Sequence, residues 1–243
     1  MLWFTQKPVR LLCGMMLGAA ALGSHAAGLQ ISPTGLSLPA KQRAGIFTLT
    51  NTGGQPLTAQ VRVYRWDQDE NGKDVLTPSK EVIASPPMVK LAAGGVQQFR
   101  VIRTKPAVQA EEAYRLVVDE LPPPQAKQKK GLQFVLRYSV PLFLNQTENP
   151  EAALQWHIRN APGGRMLLTA ANTGTAHAQL SNIAVQTVKG RHNLVNGLAG
   201  YALPGKTWQY SLDSSASAAV RQGKLSVTVN GRTVQPEVRF AAR

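Results

Sequence analysis

Six successive even positions between Gly131 and Leu144 are apolar: Leu132, Phe134, Leu136, Tyr138, Val140 and Leu142. Side chains on a β-strand alternate between faces with period two, so these six share one face of an extended strand. A polar, basic stretch precedes it, running from Pro122 to Lys130 with Lys127, Lys129 and Lys130 on it, and reads as a solvated loop. A long apolar strand behind such a loop is either a core strand or a strand kept for lending to another protein. Alternation alone favours the core.

The rest of the chain obeys the same period. Leu57–Tyr64, Val96–Arg103, Ala113–Leu121 and Leu225–Val229 alternate cleanly. Asn71-Gly72 and Asn230-Gly231 are hairpin-type turns, because asparagine and glycine accept positive φ. No segment sustains a 3.6-residue apolar period over three turns. The expectation is an all-β protein of β-sandwiches. Two sandwiches fit better than one. Gln146 to Ala152 is polar and contains Pro150, and Asn-Thr-Gly ends a strand twice, at Asn51-Thr52-Gly53 and at Asn172-Thr173-Gly174. The boundaries are placed at 28–146 and 150–243.

Residues 1–27 read as a secretory signal peptide. Lys7 and Arg10 form a positive start, Leu11 to Leu22 an uncharged apolar run, and Ser24-His25-Ala26 a small-x-small cleavage site. The apolar run is short for a membrane span, and no later segment approaches one. The expectation is therefore an exported chain without membrane insertion. The one cysteine, Cys13, leaves with the leader, so the mature chain must stand on packed cores rather than disulfides. The net charge of +14 falls to +12 when Lys7 and Arg10 are removed. Such a charge in an exported chain suits acidic protein partners or the envelope surface, and nucleic acid is not expected.

No catalytic residue, metal site or cofactor is expected. His157, His177 and His192 are too scattered for a local metal motif, and there is no nucleophile elbow, zinc-protease motif or phosphate loop. Trp156, Trp208 and Tyr210 could form a sugar platform, but aromatics of this kind are more often buried.

With these residues in view, the chain resembles the periplasmic pilus-assembly chaperones of the chaperone–usher pathway. The matching stretches run from Pro86-Pro87-Met88-Val89-Lys90-Leu91 through Gly94-Gly95 to Gln98-Phe99-Arg100-Val101-Ile102-Arg103. They continue from Glu111-Glu112-Ala113-Tyr114-Arg115-Leu116 to Asp119-Glu120-Leu121-Pro122-Pro123, then Leu132 to Leu144, and Gly200-Tyr201-Ala202-Leu203-Pro204-Gly205. Arg137-Tyr138-Ser139-Val140-Pro141 is similar to the archaic branch, which includes chaperones for spore-coat-U-like subunits. The short Pro122–Gly131 loop, unflanked by cysteines, is unlike the family's long-loop subclass.

The resemblance implies two immunoglobulin-like domains arranged as a boomerang, and it places the exported chain in the periplasm. It implies donor-strand complementation, in which the last strand of domain one fills the groove of an incomplete pilus subunit, which then passes to an outer-membrane usher. The physical basis is β-augmentation: backbone bonds along an edge, with alternate side chains in pockets. The donor residues would be Leu132, Phe134 and Leu136, with Tyr138 a fourth, while Val140 and Leu142 could stay in the chain's own core. An unused apolar strand would also suit a self-capping homodimer when empty. Well-studied members grip the subunit's terminal carboxylate with an arginine and a lysine, and the aligned positions here are Gly35 and Pro141, which carry no charge. Arginine's planar fork suits a carboxylate, so the anchor candidates are Arg103 first, then Arg100 and Arg137. Two other readings compete. A structural subunit or adhesin of a surface fibre should carry a lendable N-terminal extension, and a carbohydrate module should bind sugar without a protein client.

Overall fold

The structure is a computed structural model that describes residues 28–122, 134–146, 150–161 and 165–240. The leader and Leu132 lie outside the described residues, as does most of the basic loop. The described chain forms four sheets and one short helix.

The first sheet has the order β1-β3-β8-β6, from β1 (Leu29–Ser32), β3 (Ala44–Asn51), β8 (Val96–Arg103) and β6 (Val82–Ser85). The second has the order β2-β10-β9-β4-β5, from β2 (Leu36–Pro39), β10 (Arg137–Gln146), β9 (Glu112–Leu121), β4 (Leu57–Gln68) and β5 (Asp74–Pro78); β7 (Met88–Leu91) also pairs with β4. Their facing side chains, among them Phe47, Phe99, Tyr114, Leu116 and Leu142, make the first core. The expected alternation is met there: Phe99, Val101 and Arg103 point inward from β8, and Arg100 points out.

Two further sheets enclose a second core containing Trp156, Leu168, Ile183, Trp208 and Val227. One has the order β15-β12-β11-β18, from β15 (Thr207–Leu212), β12 (Met166–Asn172), β11 (Leu154–Asn160) and β18 (Val238–Phe240). The other has the order β14-β13-β16-β17, from β14 (Gly190–Ala202), β13 (Ala178–Thr187), β16 (Lys224–Val229) and β17 (Arg232–Val234). The Asn230-Gly231 turn joins β16 to β17 with both residues at positive φ.

The repeated Asn-Thr-Gly has a physical meaning that its role as a turn does not exhaust. Asn51 is buried, its amide donating to the carbonyls of Gln55 and Ala92 and its oxygen accepting from Gly53 N. Asn172 repeats this, donating to Ala176 and Ala202 and accepting from Gly174 and Ala153. Each staples a strand end to a neighbouring loop inside its own sandwich.

One element departs from the all-strand expectation. Helix α1 (Ser214–Gln222) is capped by Asp213, whose side chain accepts from Ala216 N at 2.7 Å. It buries only Ala216 and Val220, four residues apart, so its apolar period is too short to stand out in a sequence.

A charged network closes one end of the first sandwich. Glu112 accepts from Arg65 and from Lys105, the latter at 2.8 Å and also bonded to Glu81. Burial opposes the charge of Glu112, but the bonds from Lys105 and Arg65 outweigh it and hold its carboxyl below the ordinary range. A depressed folded pKa contributes stability above the unfolded value of about 4.3 and loses it as pH falls further. Thermal melts are therefore expected to lose stability between pH 5 and pH 3, and Glu112→Gln should flatten that loss.

Candidate functional site

Strand β10 is bordered unequally on its two edges. Along one edge β9 pairs with it from its first residue, Arg137↔Asp119, to Leu144↔Glu112. Along the other, β2 pairs with it only from Leu142↔Leu36 onward. Among the described residues, Phe134 to Pro141 has no strand on that side.

Register decides which groups this open edge presents. Glu120 N donates to Leu136 O at 2.9 Å, so even-numbered residues turn their peptide groups toward β9. The odd residues Val135, Arg137 and Ser139 therefore turn theirs to the open side. Pro141 is the next in that series and has no N–H to offer.

The side chains divide as the strand advances. Phe134 is 78% exposed. Leu136 and Tyr138 are half-buried against the first core, and the Tyr138 hydroxyl donates to the Leu29 carbonyl across the sandwich edge. Val140, Leu142 and Leu144 are core residues. One apolar face thus begins in solvent and ends in the interior.

The opposite face of β10 is also occupied. Phe143 stacks on His177 with ring centroids 3.4 Å apart and joins Trp66, Ala113, Tyr201 and Leu203 in a small cluster linking the two cores. Glu111 fixes His177, accepting from its backbone N at 2.8 Å and lying 3.0 Å from Nδ1. Gln68 bonds the backbone of the second sandwich twice, donating to Tyr201 O at 2.9 Å and accepting from Leu203 N at 3.0 Å. The Arg115 guanidinium lies 3.6 Å over Trp66 and 5.3 Å from the Tyr201 ring, with Asp74 as its ion partner at 3.2 Å. Burial lowers the Arg115 pKa from its ordinary value. Gly72 has φ +72°, and a Cβ there would come 2.5 Å from Thr207 O, so a side chain at that turn would push the second sandwich away.

A cleft of 510 Å³ opens beside Pro141, lined among others by Gly35, Phe143, His177, Gln179 and Asn230. Gly35 and Pro141 are neighbours, since a Cβ on Gly35 would lie 3.4 Å from Pro141 Cγ. No lysine or arginine is among the described residues lining it. The three anchor candidates lie elsewhere. Arg103 is 5% exposed and donates to the carbonyls of Ala40 and Gln42. Arg100 is exposed on the outer face of the other sheet, opposite Ile46 and Ser85. Arg137 lies on the outer face of β10 and pairs with Asp119. The structure brings none of these together with another.

The interdomain residues were missed by sequence reasoning. Phe143 carries a signal of its own: it is a large aromatic at an odd position, where the strand's solvent face should be polar. The aromatic platform does not form, because Trp156 and Trp208 are buried in the second core, with rings 6.2 Å apart. The segment expected of a fibre subunit's extension is built in as β1, paired with β3 from Leu29↔Asn51 to Ser32↔Thr48, with Leu29 fully buried.

Residues 28–148 match the family described as pili and flagellar-assembly chaperone, PapD N-terminal domain. Three solved structures show the likeness over nearly the whole chain. The CsuC–CsuE chaperone–tip adhesion subunit pre-assembly complex from archaic chaperone–usher Csu pili of Acinetobacter baumannii is 28% identical. It covers 89% of this chain and 100% of the other, with a TM-score of 0.70. The Pseudomonas aeruginosa CupB2 chaperone is 17% identical, covering 86% and 100%, with a TM-score of 0.60. The Salmonella enterica SafA pilin in complex with the SafB chaperone is 14% identical, covering 87% and 94%, with a TM-score of 0.56. The last two speak for the two-domain β-sandwich fold alone. No curated protein matches the chain by sequence.

Proposed function

This chain belongs to the pilus-assembly chaperones of the chaperone–usher pathway, and we propose that it caps pilus subunits by lending them the segment that leads into β10 together with the strand's open first half. One observation carries the reading: a β-strand, β10, with a free edge on its first half, led into by a segment whose Phe134 faces solvent in the same alternation as the strand's apolar face. Edge and face are the two things a subunit lacking a strand must be given. Leu132, Phe134 and Leu136 fill the subunit's groove, with Tyr138 at the groove's end. The working unit for capture is 28–146, and 150–243 is the second sandwich that backs it.

The chaperone acts in the periplasm after its leader is removed, with subunits of the archaic kind as clients and an outer-membrane usher as the receiver. Release needs no nucleotide if the next subunit's own extension fits the groove better. No lysine or arginine is among the described residues lining the cleft beside Pro141, which supports an anchor other than the arginine–lysine pair of well-studied relatives.

The test is periplasmic co-expression with the small secreted proteins encoded beside this chain, comparing wild type with Phe134→Asp. A one-to-one complex that is lost in the variant, with the melting temperature kept, supports strand lending. A variant that binds equally well overturns it. The empty protein is also expected to self-associate through the same strand. Sedimentation should show a concentration-dependent dimer that Phe134→Asp reduces to monomer.

A further inference from the structure

The free half of β10 has lost the pairing that normally keeps a strand straight, yet it is extended and held to β9. A ladder of charges on the sheet's outer face accounts for this. Asp119 on β9 stands directly between Gln60 on β4 and Arg137 on β10. Its carboxylate takes Arg62 on one oxygen at 2.5 Å and Arg137 Nε on the other. Its side chain is 12% exposed, against 41% for Arg62 and 67% for Arg137. The next residue repeats the contact in another form. Glu120 N donates to Leu136 O at 2.9 Å, and Leu136 N donates to the Glu120 carboxylate at 3.2 Å. Two adjacent acidic residues of β9 thus hold Leu136 and Arg137, the residue before β10 and its first, just where the strand's open edge begins.

We propose that Asp119 is a positioning residue for client capture: it locks the free half of β10 in the extended form that a subunit must meet. The inference rests on the reading of β10 as a lent strand. Its physical ground is entropy. Fixing a residue's backbone in one conformation costs conformational entropy. A strand ordered in advance does not impose that cost on the binding step. Burial opposes the charge of Asp119, but Arg137 and Arg62 outweigh it and hold the carboxyl below its ordinary range, so the ladder is charged at neutral pH. Arg137 acts through Asp119, and its mostly exposed side chain can be changed without opening the core.

Hydrogen exchange of the client-free protein reads the lock directly. Asp119→Asn should speed exchange of the Leu136 and Tyr138 amides about tenfold, as expected for losing charge-assisted hydrogen bonds. Arg137→Ala should speed it about two- to fivefold, the range of an exposed ion pair. Arg137→Lys should restore most of the protection. The amides of Val61 and Leu116, on β4 and β9, should not change. Association with the subunit captured by wild type should slow by the same factors, with dissociation unaltered. Wild-type exchange at Leu136 and Tyr138 in Asp119→Asn, or a loss spread equally into β4 and β9, overturns the proposal. Leu132, Phe134 and Leu136 changed together to Asp serve as the control. If that variant binds like wild type, strand lending falls and the proposal falls with it. If it fails to bind while Asp119→Asn associates at the wild-type rate, only the positioning role is lost.

Discussion

Replacing Leu132, Phe134 and Leu136 together by Asp is expected to abolish subunit capture while leaving the protein folded. Each apolar side chain taken fully from water contributes roughly 1.5–3 kcal/mol. Three of them amount to roughly 4.5–9 kcal/mol before ordering costs, a loss in affinity of more than about a thousandfold. The cost to the chaperone's own fold should be small, because Phe134 is mostly in solvent and Leu136 is only half-buried. Isothermal titration against a purified subunit, with a thermal melt of each variant, checks both halves. A subunit affinity within tenfold of wild type would contradict the expectation.

The mirror-image result is expected a few residues along the same face. Leu142 is fully buried in the first core, between β2 and β9. Leu142→Ala should cost about 2–5 kcal/mol, the transfer loss plus the cavity left behind. Chemical denaturation should show the first sandwich destabilised by that amount. Phe134→Ala, in contrast, should leave the denaturation midpoint unchanged and lower only capture. The two residues differ in whether a neighbouring strand and sheet cover them, not in hydrophobicity.

That difference explains how much of the site could be read from sequence. Alternation located β10 and its apolar face, because side-chain direction along a strand is a local property. It could not say where the face passes from solvent to core. That depends on where β2 begins to pair, more than a hundred residues earlier in the chain. The strands from Leu57, Val96, Ala113 and Leu225 were legible for the same local reason; of the two Asn-Gly turns, Asn230-Gly231 has both residues at positive φ and Asn71-Gly72 its glycine alone. The contacts of Gln68 with Tyr201 and Leu203, and of His177 with Glu111 and Phe143, were not legible. Each joins residues far apart in sequence, and no local pattern announces a partner at that range. The three arginines chosen for their charge had a visible chemistry but an invisible address.

Pro141 gives the open edge a length. A visiting strand that pairs along it finds N–H donors at Val135, Arg137 and Ser139, and at the next position only a carbonyl. One residue further, β2 has taken the edge. The strand therefore works as a ruler with a fixed end: a guest can add rungs toward the basic loop but not toward the elbow between the sandwiches. Two guests of different sequence would be held in the same register at that end, whatever side chains they bring.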